Sequence, residues 1–206
     1  MTSGIPEEWP AAVREASPFG VPVTCKFRIG IDDDIVTFIE TGLAAEQEGL
    51  AMIALHARTA EQHYAGHARW EAIAQLKREV KSIPVLGNGD IWEASDAVTM
   101  MRETGCDGVV IGRGCLGRPW LFGHLHEVFA GRPAPASPTL GEVASVMVEH
   151  ARLLWDHHPG DMGIRDFRKH AGWYLTGYPV GGELRRRFGM VSSLAELDDL
   201  VALLDH

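Results

Sequence analysis

The chain has 206 residues, of which 46% are hydrophobic and 23% charged, proportions typical of a soluble globular protein. Its net charge of −9 argues against broad, non-specific nucleic-acid binding but leaves room for a local basic surface. No apolar run approaches the ~20 residues that span a bilayer, and the start MTSGIPEEWP has no apolar signal core, so we expect no membrane association and a cytoplasmic location.

Four short apolar segments rich in β-branched residues recur before residue 132 and are predicted to be strands. They cover residues 21–29, 50–57, 83–90 and 107–114. A segment of helical periodicity precedes the first strand and one follows each strand, at residues 6–16, 34–49, 70–81, 93–105 and 119–131. This alternation predicts βα units, and hence an α/β fold with a parallel sheet covered on both faces.

The third of these strands ends in Asn88-Gly89, a dipeptide that is also the strongest short-range signal for a hairpin turn. A hairpin needs an alternating strand on each side, whereas the apolar residues that follow, Ala97, Val98 and Met101, have helical spacing. The stretch therefore predicts a strand that runs into a helix.

Polar or glycine residues stand at the carboxyl end of every predicted strand. They are Lys26 and Arg28, His56 and Arg58, Asn88 and Asp90, and Gly112 and Arg113. Taken singly, each is more often a solvated loop residue or a helix cap. The carboxyl ends of parallel strands meet at one edge, where β/α folds build their sites, so the coincidence of all four predicts one shared pocket.

The Pro-rich residues 131–138 resemble a linker, and no strand signal follows them. Thr139 with Glu142 forms a capping box that opens a helix to about residue 157, and Ser193 with Glu196 forms another before the last helix. The tail is therefore predicted to be a small bundle of about four helices.

Residues 161–190 hold a local excess of positive charge. Its cations are Arg165, Arg168, Lys169, Arg185, Arg186 and Arg187, against Asp161, Asp166 and Glu183. From the residues alone, a solvated helix face is the better interpretation. Trp173 and Tyr174 in the same region are more often core residues than surfaces for stacking bases.

The three cysteines, Cys25, Cys106 and Cys115, are odd in number and lack the spacing of metal ligands. We expect reduced thiols that serve as small apolar fillers, and no metal site.

Several of these motifs together resemble the tRNA-dihydrouridine synthase family. They are VPVTCKFRIG, LHARTAEQHYAGHARW, IPVLGNGDI, TGCDGVVIGRGCLGRPWLF and, in the tail, IRDFRKHAGWYLTG. The resemblance extends from about residue 7 to the end. It implies an FMN-dependent oxidoreductase that uses NADPH to reduce the C5=C6 bond of uridine in tRNA to dihydrouridine.

The resemblance also implies roles for the strand-end residues. Lys26 would contact the isoalloxazine ring, and His56 the flavin or its substrate. Asn88, Gly89 and Asp90 would wrap the ribityl chain and phosphate, and Gly112 with Arg113 would close the phosphate site, where backbone N–H groups can hold a dianion.

On the substrate side, the family places the loop after the second strand towards the entering RNA base. The residues implied there are Arg58, Gln62 and Tyr64. The phosphates of tRNA would meet the helical tail, at Arg165, Arg168, Lys169 and the arginines 185–187.

The sequence departs from the family in one respect. The family fold is a (β/α)8 TIM barrel, which takes ~250 residues, whereas four βα units are predicted here. The loop Asn-x-Gly-Cys-Pro, whose cysteine gives the family its proton donor, is absent. The chain therefore resembles the second half of the barrel (residues 1–130), a linker (131–138) and a helical tRNA-binding domain (139–206), with no catalytic residue of its own.

Two interpretations follow. The chain belongs to a flavin oxidoreductase whose front half is missing through a late start, a split gene or the choice of segment; or it is an incomplete derivative that binds tRNA without redox chemistry. A flavin or sugar-phosphate barrel of another family would explain the phosphate loops but neither HARTAEQHYAG nor the tail. In either case we expect the chain alone to be inactive and to self-associate through its open half-barrel edges.

Overall fold

A computed structural model describes residues 9–18, 20–158 and 161–204 of the chain. Their contacts divide the chain into two compact units, Met1–Gly114 with Val128–Arg132, and Cys115–Glu127 with Pro133–His206. The domain limits predicted at residues 130 and 139 remain a prediction. Residues 6–8 of the first predicted helix lie outside the described residues.

Strands and helices alternate through the first unit, as the sequence predicts. The elements are α1 (Trp9–Ala16), β1 (Thr24–Arg28), α2 (Phe38–Gln47), β2 (Met52–His56), α3 (Trp70–Glu79), β3 (Val85–Asn88), α4 (Ala94–Thr104) and β4 (Gly108–Val110). All four strands are parallel and pair in the order β1-β2-β3-β4. The predicted α/β class with a parallel sheet is therefore confirmed.

Helices cover the sheet face that carries Ile53 and Gly87. A Cβ atom on Gly87 would lie 2.5 Å from Met100 Sδ of α4 and 3.2 Å from Ile73 Cδ1 of α3. Because side chains alternate along a strand, Ala54, His56, Leu86 and Asn88 lie on the opposite face. This second face is where the candidate site forms.

Helix α4 follows β3, as the helical spacing of Ala97, Val98 and Met101 predicts. Its buried residues are Ala94, Ala97, Met100 and Thr104. Val98 is 37% exposed.

The second unit contains helices only, among the residues described from Leu121 onward. After a short 3-10 turn at Arg113–Cys115 they are α5 (Leu121–Phe129), α6 (Leu140–His157), α7 (Met162–Tyr174), α8 (Gly182–Phe188) and α9 (Leu194–Val201). The core includes Met147, Phe167 and Phe188, all fully buried. Tyr174 lies in this core as expected, whereas Trp173 is 36% exposed and is not a core residue.

The two predicted capping boxes differ in the structure. At α6, Thr139 Oγ1 accepts from Glu142 N–H, and the Glu142 carboxylate accepts from Thr139 N–H. At α9, Ser193 Oγ accepts from Glu196 N–H, but the Glu196 carboxylate accepts from Ser192 N–H instead. Helix α9 therefore begins where the sequence predicts. Of the two hydrogen bonds of the predicted capping box, only the one that Ser193 Oγ accepts is present.

Within the part of the chain that the structure describes, no helix combines the length and the apolar character needed to cross a bilayer.

Candidate functional site

The strand register brings three of the predicted strand-end residues into one row with Val110. Arg28 pairs with His56, His56 with Asn88, and Asn88 with Val110. Asn88 also donates a 2.7 Å hydrogen bond from Nδ2 to the Val110 carbonyl oxygen, which ties β3 to β4. The row lies at the carboxyl edge of the sheet, on the face opposite to the one that α3 and α4 cover.

A cavity of about 200 Å³ opens above this row. It brings together nine of the predicted site residues and Arg28. The nine are Lys26, His56, Arg58, Tyr64, Asn88, Gly89, Asp90, Gly112 and Arg113. Gln62 does not line it, because its carboxamide oxygen accepts from Thr59 N–H (2.9 Å) inside the loop after β2.

The cavity is a positive site in an acidic protein. Its lining residues include four cations, Lys26, Arg28, Arg58 and Arg113, and one carboxylate, Asp90. A cluster of cations around a small cleft attracts an anionic ligand. The chemistry of the lining therefore favours a phosphate-bearing molecule.

Two of the four cations are free to bind such a ligand. Among the described residues, neither the Lys26 ammonium nor the Arg113 guanidinium donates a hydrogen bond. Partial burial, with a smaller contribution from Arg28, lowers the pKa of Lys26 from its ordinary value. Arg113 Cζ lies 4.2 Å from the ring centroid of Tyr64 and 5.6 Å from that of Trp92.

The other two cations are held by backbone carbonyls. Arg28 donates from Nη1 to the carbonyl oxygens of Thr59 (2.8 Å) and His63 (2.9 Å). Arg58 is only 1% exposed and donates from Nη2 to the Gly66 carbonyl oxygen (2.7 Å) and to the Asp90 carboxylate (2.7 and 2.9 Å). Both arginines therefore bind the chain itself.

His56 lies at the floor of the cavity and is 6% exposed. Burial, together with the neighbouring Arg28, Lys26, Arg58 and Arg113, lowers the pKa of His56 to about 4. The ring is therefore neutral at neutral pH. A neutral imidazole has one donor and one acceptor nitrogen, so it can hydrogen-bond the polar edge of a ligand without adding charge.

The Asn88-Gly89-Asp90 segment forms a tight turn with two left-handed residues. Gly89 has φ +128° and Asp90 φ +54°. A Cβ atom on Gly89 would lie 2.6 Å from Ala68 Cβ, so glycine is required here for space as well as for conformation. Trp70 Nε1 donates to the Gly89 carbonyl oxygen (3.0 Å) and fixes the turn.

The three cysteines lie outside the cavity lining. Cys25 is half-buried on the helix-facing side of β1, and burial raises the pKa of its thiol. Cys106 is buried and donates from Sγ to the Gly108 carbonyl oxygen. Within the described residues, no group of histidines, cysteines and carboxylates could hold a metal ion.

The basic residues of the second unit are extensively paired with acidic side chains and backbone oxygens. Arg165 lies 3.3 Å from Asp161, Lys169 3.9 Å from Asp166, and Arg186 2.8 Å from Glu183. Arg168 Nε donates to the Val191 carbonyl oxygen, and Arg185 to the carbonyl oxygens of Val180 and Tyr178. Arg165, Lys169 and Arg186 expose 64%, 59% and 61% of their side-chain surface.

Some lining residues were absent from the sequence-based prediction. They are Ile91, Trp92, Val110, Ile111 and Gly114. Trp92 stands two residues after Asp90, so its place in NGDIW was an available signal. Val110 enters only through its pairing with Asn88, which the sequence does not specify.

Comparison with known proteins identifies a family. The model of the family described as Dihydrouridine synthase (Dus) matches residues 7–205. The chain is 60% identical over 195 residues to a probable tRNA-dihydrouridine synthase of Mycobacterium leprae, covering 95% of this chain and 51% of the relative.

Two other relatives have similar coverage. A probable tRNA-dihydrouridine synthase of Mycobacterium tuberculosis (strain H37Rv) is 58% identical, covering 95% of this chain and 50% of the relative. A tRNA-dihydrouridine synthase B of Pseudomonas aeruginosa is 42% identical over 169 residues, covering 82% of this chain and 50% of the relative. The chain thus spans about half the length of these curated relatives.

Proposed function

The chain belongs to the dihydrouridine synthase family, as its motifs predicted, and from that premise we propose that it is the cofactor-holding and RNA-binding part of an FMN-dependent tRNA-dihydrouridine synthase. The proposed reaction is the NADPH-dependent reduction of the C5=C6 bond of uridine in tRNA. The observation that carries this proposal is a cavity at the carboxyl ends of four parallel strands with two cations, Lys26 and Arg113, that have no hydrogen-bond acceptor among the described residues.

The residues present fit part of an FMN molecule. Arg113 carries a full positive charge beside Gly112, and a Cβ atom on Gly112 would meet no atom within 4 Å, so the backbone borders open space where a phosphate can approach. Lys26 of β1 and His56 of β2 also line the cavity, and we propose that the flavin ring lies against them. The volume of about 200 Å³ is below the ~300 to 1,000 Å³ of typical cofactor pockets, so we propose that other residues of the enzyme complete the cradle.

When bound, the flavin would supply the hydride that uridine needs. Lys26 would stabilise negative charge on the ring, because an ammonium held in a partly desolvated site interacts strongly with an anion. His56, neutral at neutral pH, would hydrogen-bond the ring or the base without competing for that charge. We propose no proton donor among Cys25, Cys106 and Cys115.

On the RNA side, we propose that Tyr64 contacts the target base. Its side chain is 57% exposed and its ring covers Arg113 at the cavity mouth. An enzyme that acts on a base takes it out of the helical stack, and an exposed aromatic ring can stack on the displaced base. Exposed cations of α7, Arg165 and Lys169, would meet phosphates.

For the architecture, we propose that the four parallel βα units form half of a (β/α)8 TIM barrel and that the helices after residue 138 form a separate tRNA-binding domain. The sequential strand order and the polar carboxyl edge are those of such a barrel. The four helices α6 to α9 surround a core of their own.

The test uses the 206-residue chain alone and the chain co-expressed with the N-terminal half of the M. leprae relative. We expect weak FMN binding by the chain alone, firmer binding by the pair, and NADPH-dependent dihydrouridine in tRNA with the pair only. If the pair binds tRNA but does not bind FMN and does not form dihydrouridine, the proposal is overturned. That result would favour an RNA-binding derivative without redox chemistry.

A further inference from the structure

The loop after β2, residues 59–68, is anchored by hydrogen bonds that two arginines donate and one aspartate accepts. Arg28 Nη1 donates to the carbonyl oxygens of Thr59 and His63, near the loop's start and middle. Arg58 donates to those of Ala65 (3.3 Å) and Gly66 (2.7 Å), near its end.

Asp90 completes this anchoring from the turn after β3. Its Oδ2 atom accepts from Ala68 N–H at 2.6 Å, and both of its oxygens accept from Arg58 Nη2. The pKa of Asp90 is lowered because these hydrogen bonds and the Arg58 charge outweigh the opposing effect of burial. The carboxylate is therefore engaged by the chain, rather than directed at a ligand as the sequence predicted.

Arg58 is likewise unsuited to contact a ligand directly. Its guanidinium is almost completely buried, and its remaining atom, Nη1, is buried without a hydrogen-bond partner. An atom that water cannot reach cannot meet a substrate oxygen unless the surroundings move. A buried guanidinium needs a counterion, and Asp90 supplies it at 2.7 Å.

What the anchored loop presents is Tyr64. The residue before it, His63, has φ +47°, and its carbonyl oxygen accepts a hydrogen bond from Arg28. This hydrogen bond restrains the backbone at the tip of the loop. Tyr64 then projects over Arg113, 4.2 Å from its Cζ atom. The loop is stabilised at both sides of this ring.

We propose that Arg58 and Asp90 are a positioning pair, which fixes the 59–68 loop so that Tyr64 meets the displaced pyrimidine base of the RNA substrate. This inference rests on the proposed function for the identity of the ligand. The position of the loop does not depend on that function. Asp90 is thus assigned to substrate positioning through Arg58, and its carboxylate makes no contact with the flavin.

The main test is Asp90→Asn in the co-expressed pair described above. Asparagine keeps an oxygen for Ala68 N–H but removes the charge that Arg58 needs. We expect the KM for tRNA to rise roughly tenfold, the size of one lost charge-assisted hydrogen bond, with kcat within about threefold and FMN affinity within about twofold. A tenfold loss of FMN affinity would overturn the assignment and return Asp90 to the cofactor.

Asp107→Asn is the matched control. Asp107 also accepts from a backbone N–H group, that of Val85, and also pairs with a cation, Lys77, at 2.7 Å. It precedes β4, outside the cavity lining. If Asp107→Asn raised the KM as much as Asp90→Asn does, the effect would be general destabilisation and the proposal would fail.

A double-mutant cycle separates positioning from independent binding. Tyr64→Ala alone should raise the KM about tenfold through loss of stacking. If Asp90 acts through Tyr64, the variant with both changes should be no more than about twofold worse than Tyr64→Ala. If the KM of the double variant rose about a hundredfold, the two changes would act independently and the proposal would be overturned.

A second readout needs no enzymatic activity. Chymotrypsin cleaves after exposed tyrosines in mobile loops, so cleavage after Tyr64 in the 206-residue chain should accelerate about tenfold in Asp90→Asn and stay unchanged in Asp107→Asn. An inactive pair with this cleavage pattern would refute the proposed function and keep the positioning pair. Equal cleavage of all three proteins would refute the positioning pair.

Discussion

Arg113 and Lys26 are the two cavity cations without a hydrogen-bond acceptor among the described residues. We predict that Arg113→Ala weakens FMN binding roughly ten- to a hundredfold, because one charge-assisted hydrogen bond to the phosphate contributes about 1.5 to 3 kcal/mol. In the co-expressed pair, Lys26→Ala should leave more flavin bound and slow flavin or uridine reduction instead. Titration of each variant with FMN measures the difference.

Arg78→Ala is the control for this pair of variants. Arg78 is an exposed arginine of α3 outside the cavity lining, so its removal changes the net charge equally without touching the site. An Arg113→Ala variant that matched the affinity of Arg78→Ala would remove Arg113 from the phosphate site.

His56 makes the stability of the fold depend on pH. Its pKa is about 4 in the folded chain, below the ordinary 6.5, so between these values the unfolded chain binds a proton that the folded chain does not. The contribution of His56 to stability is therefore full above pH 6.5 and is lost as the pH falls through 4. We predict that His56→Gln flattens the fall in the free energy of unfolding over this window.

Urea unfolding at several pH values measures this slope. His126→Gln, which changes an exposed histidine of α5, is the control and should keep the slope of the unaltered chain. If His56→Gln also kept that slope, the claim that the His56 ring stays neutral in the folded chain would be refuted.

At the scale of elements, the start of α6 depends on the reciprocal box between Thr139 and Glu142. Thr139→Ala should destabilise the second unit by about 1 kcal/mol, because it leaves helix N–H groups without an acceptor. Ser145→Ala in the same helix is the matched control. Its exposed hydroxyl donates only to the Gly141 carbonyl oxygen, so its loss should change stability by less than about 0.5 kcal/mol.

Thermal or urea unfolding followed by circular dichroism compares the two variants. Equal stabilities would mean that the box contributes nothing beyond a solvated helix end.

Helix α7 carries two exposed cations among the predicted tRNA contacts, Arg165 and Lys169. Replacing both by alanine should weaken tRNA binding and lower the slope of log affinity against log salt by roughly two, since each phosphate contact releases about one counterion. Arg168 is left in place because its bond to the Val191 carbonyl oxygen supports the fold.

The control is a double variant, Arg78→Ala with Lys81→Ala, which removes one arginine and one lysine at and just beyond the end of α3. Filter binding of tRNA across a salt series gives both slopes. If the α7 variant and the control had the same slope, the α7 cations would be an ordinary solvated surface.

At the scale of the whole molecule, the described sheet has two edges, because β1 and β4 each pair with one neighbour. Unpaired edges of parallel strands favour pairing with another chain. We therefore predict that the 206-residue chain associates at micromolar concentration, and that Thr24→Lys, a charge on the β1 edge, weakens the association. Sedimentation equilibrium measures the mass, and a constant 22.5 kDa would contradict the prediction.

Local sequence determined the type and order of the elements of this protein, but their ends shift by a few residues, and the strand predicted over 107–114 covers only Gly108–Val110. Alternating apolar strands and periodic helices specify βα units because such patterns depend on residues a few positions apart. The same holds for the capping box at α6. It also holds for the polar residues at the strand ends, which parallel pairing necessarily gathers at one edge.

Only the tertiary structure decided what each of those polar residues does. The sequence treats Arg28, Arg58, Lys26 and Arg113 alike, as cations near strand ends. Arg28 finds carbonyl oxygens 31 and 35 residues away and Arg58 finds Asp90 32 residues away, so both hold a loop. Lys26 and Arg113 find no such acceptors in the described chain and remain free for a ligand. The physical reason is that a charged side chain binds the hydrogen-bond acceptors that lie near it in space. Strand register and the path of the loops decide which acceptors those are.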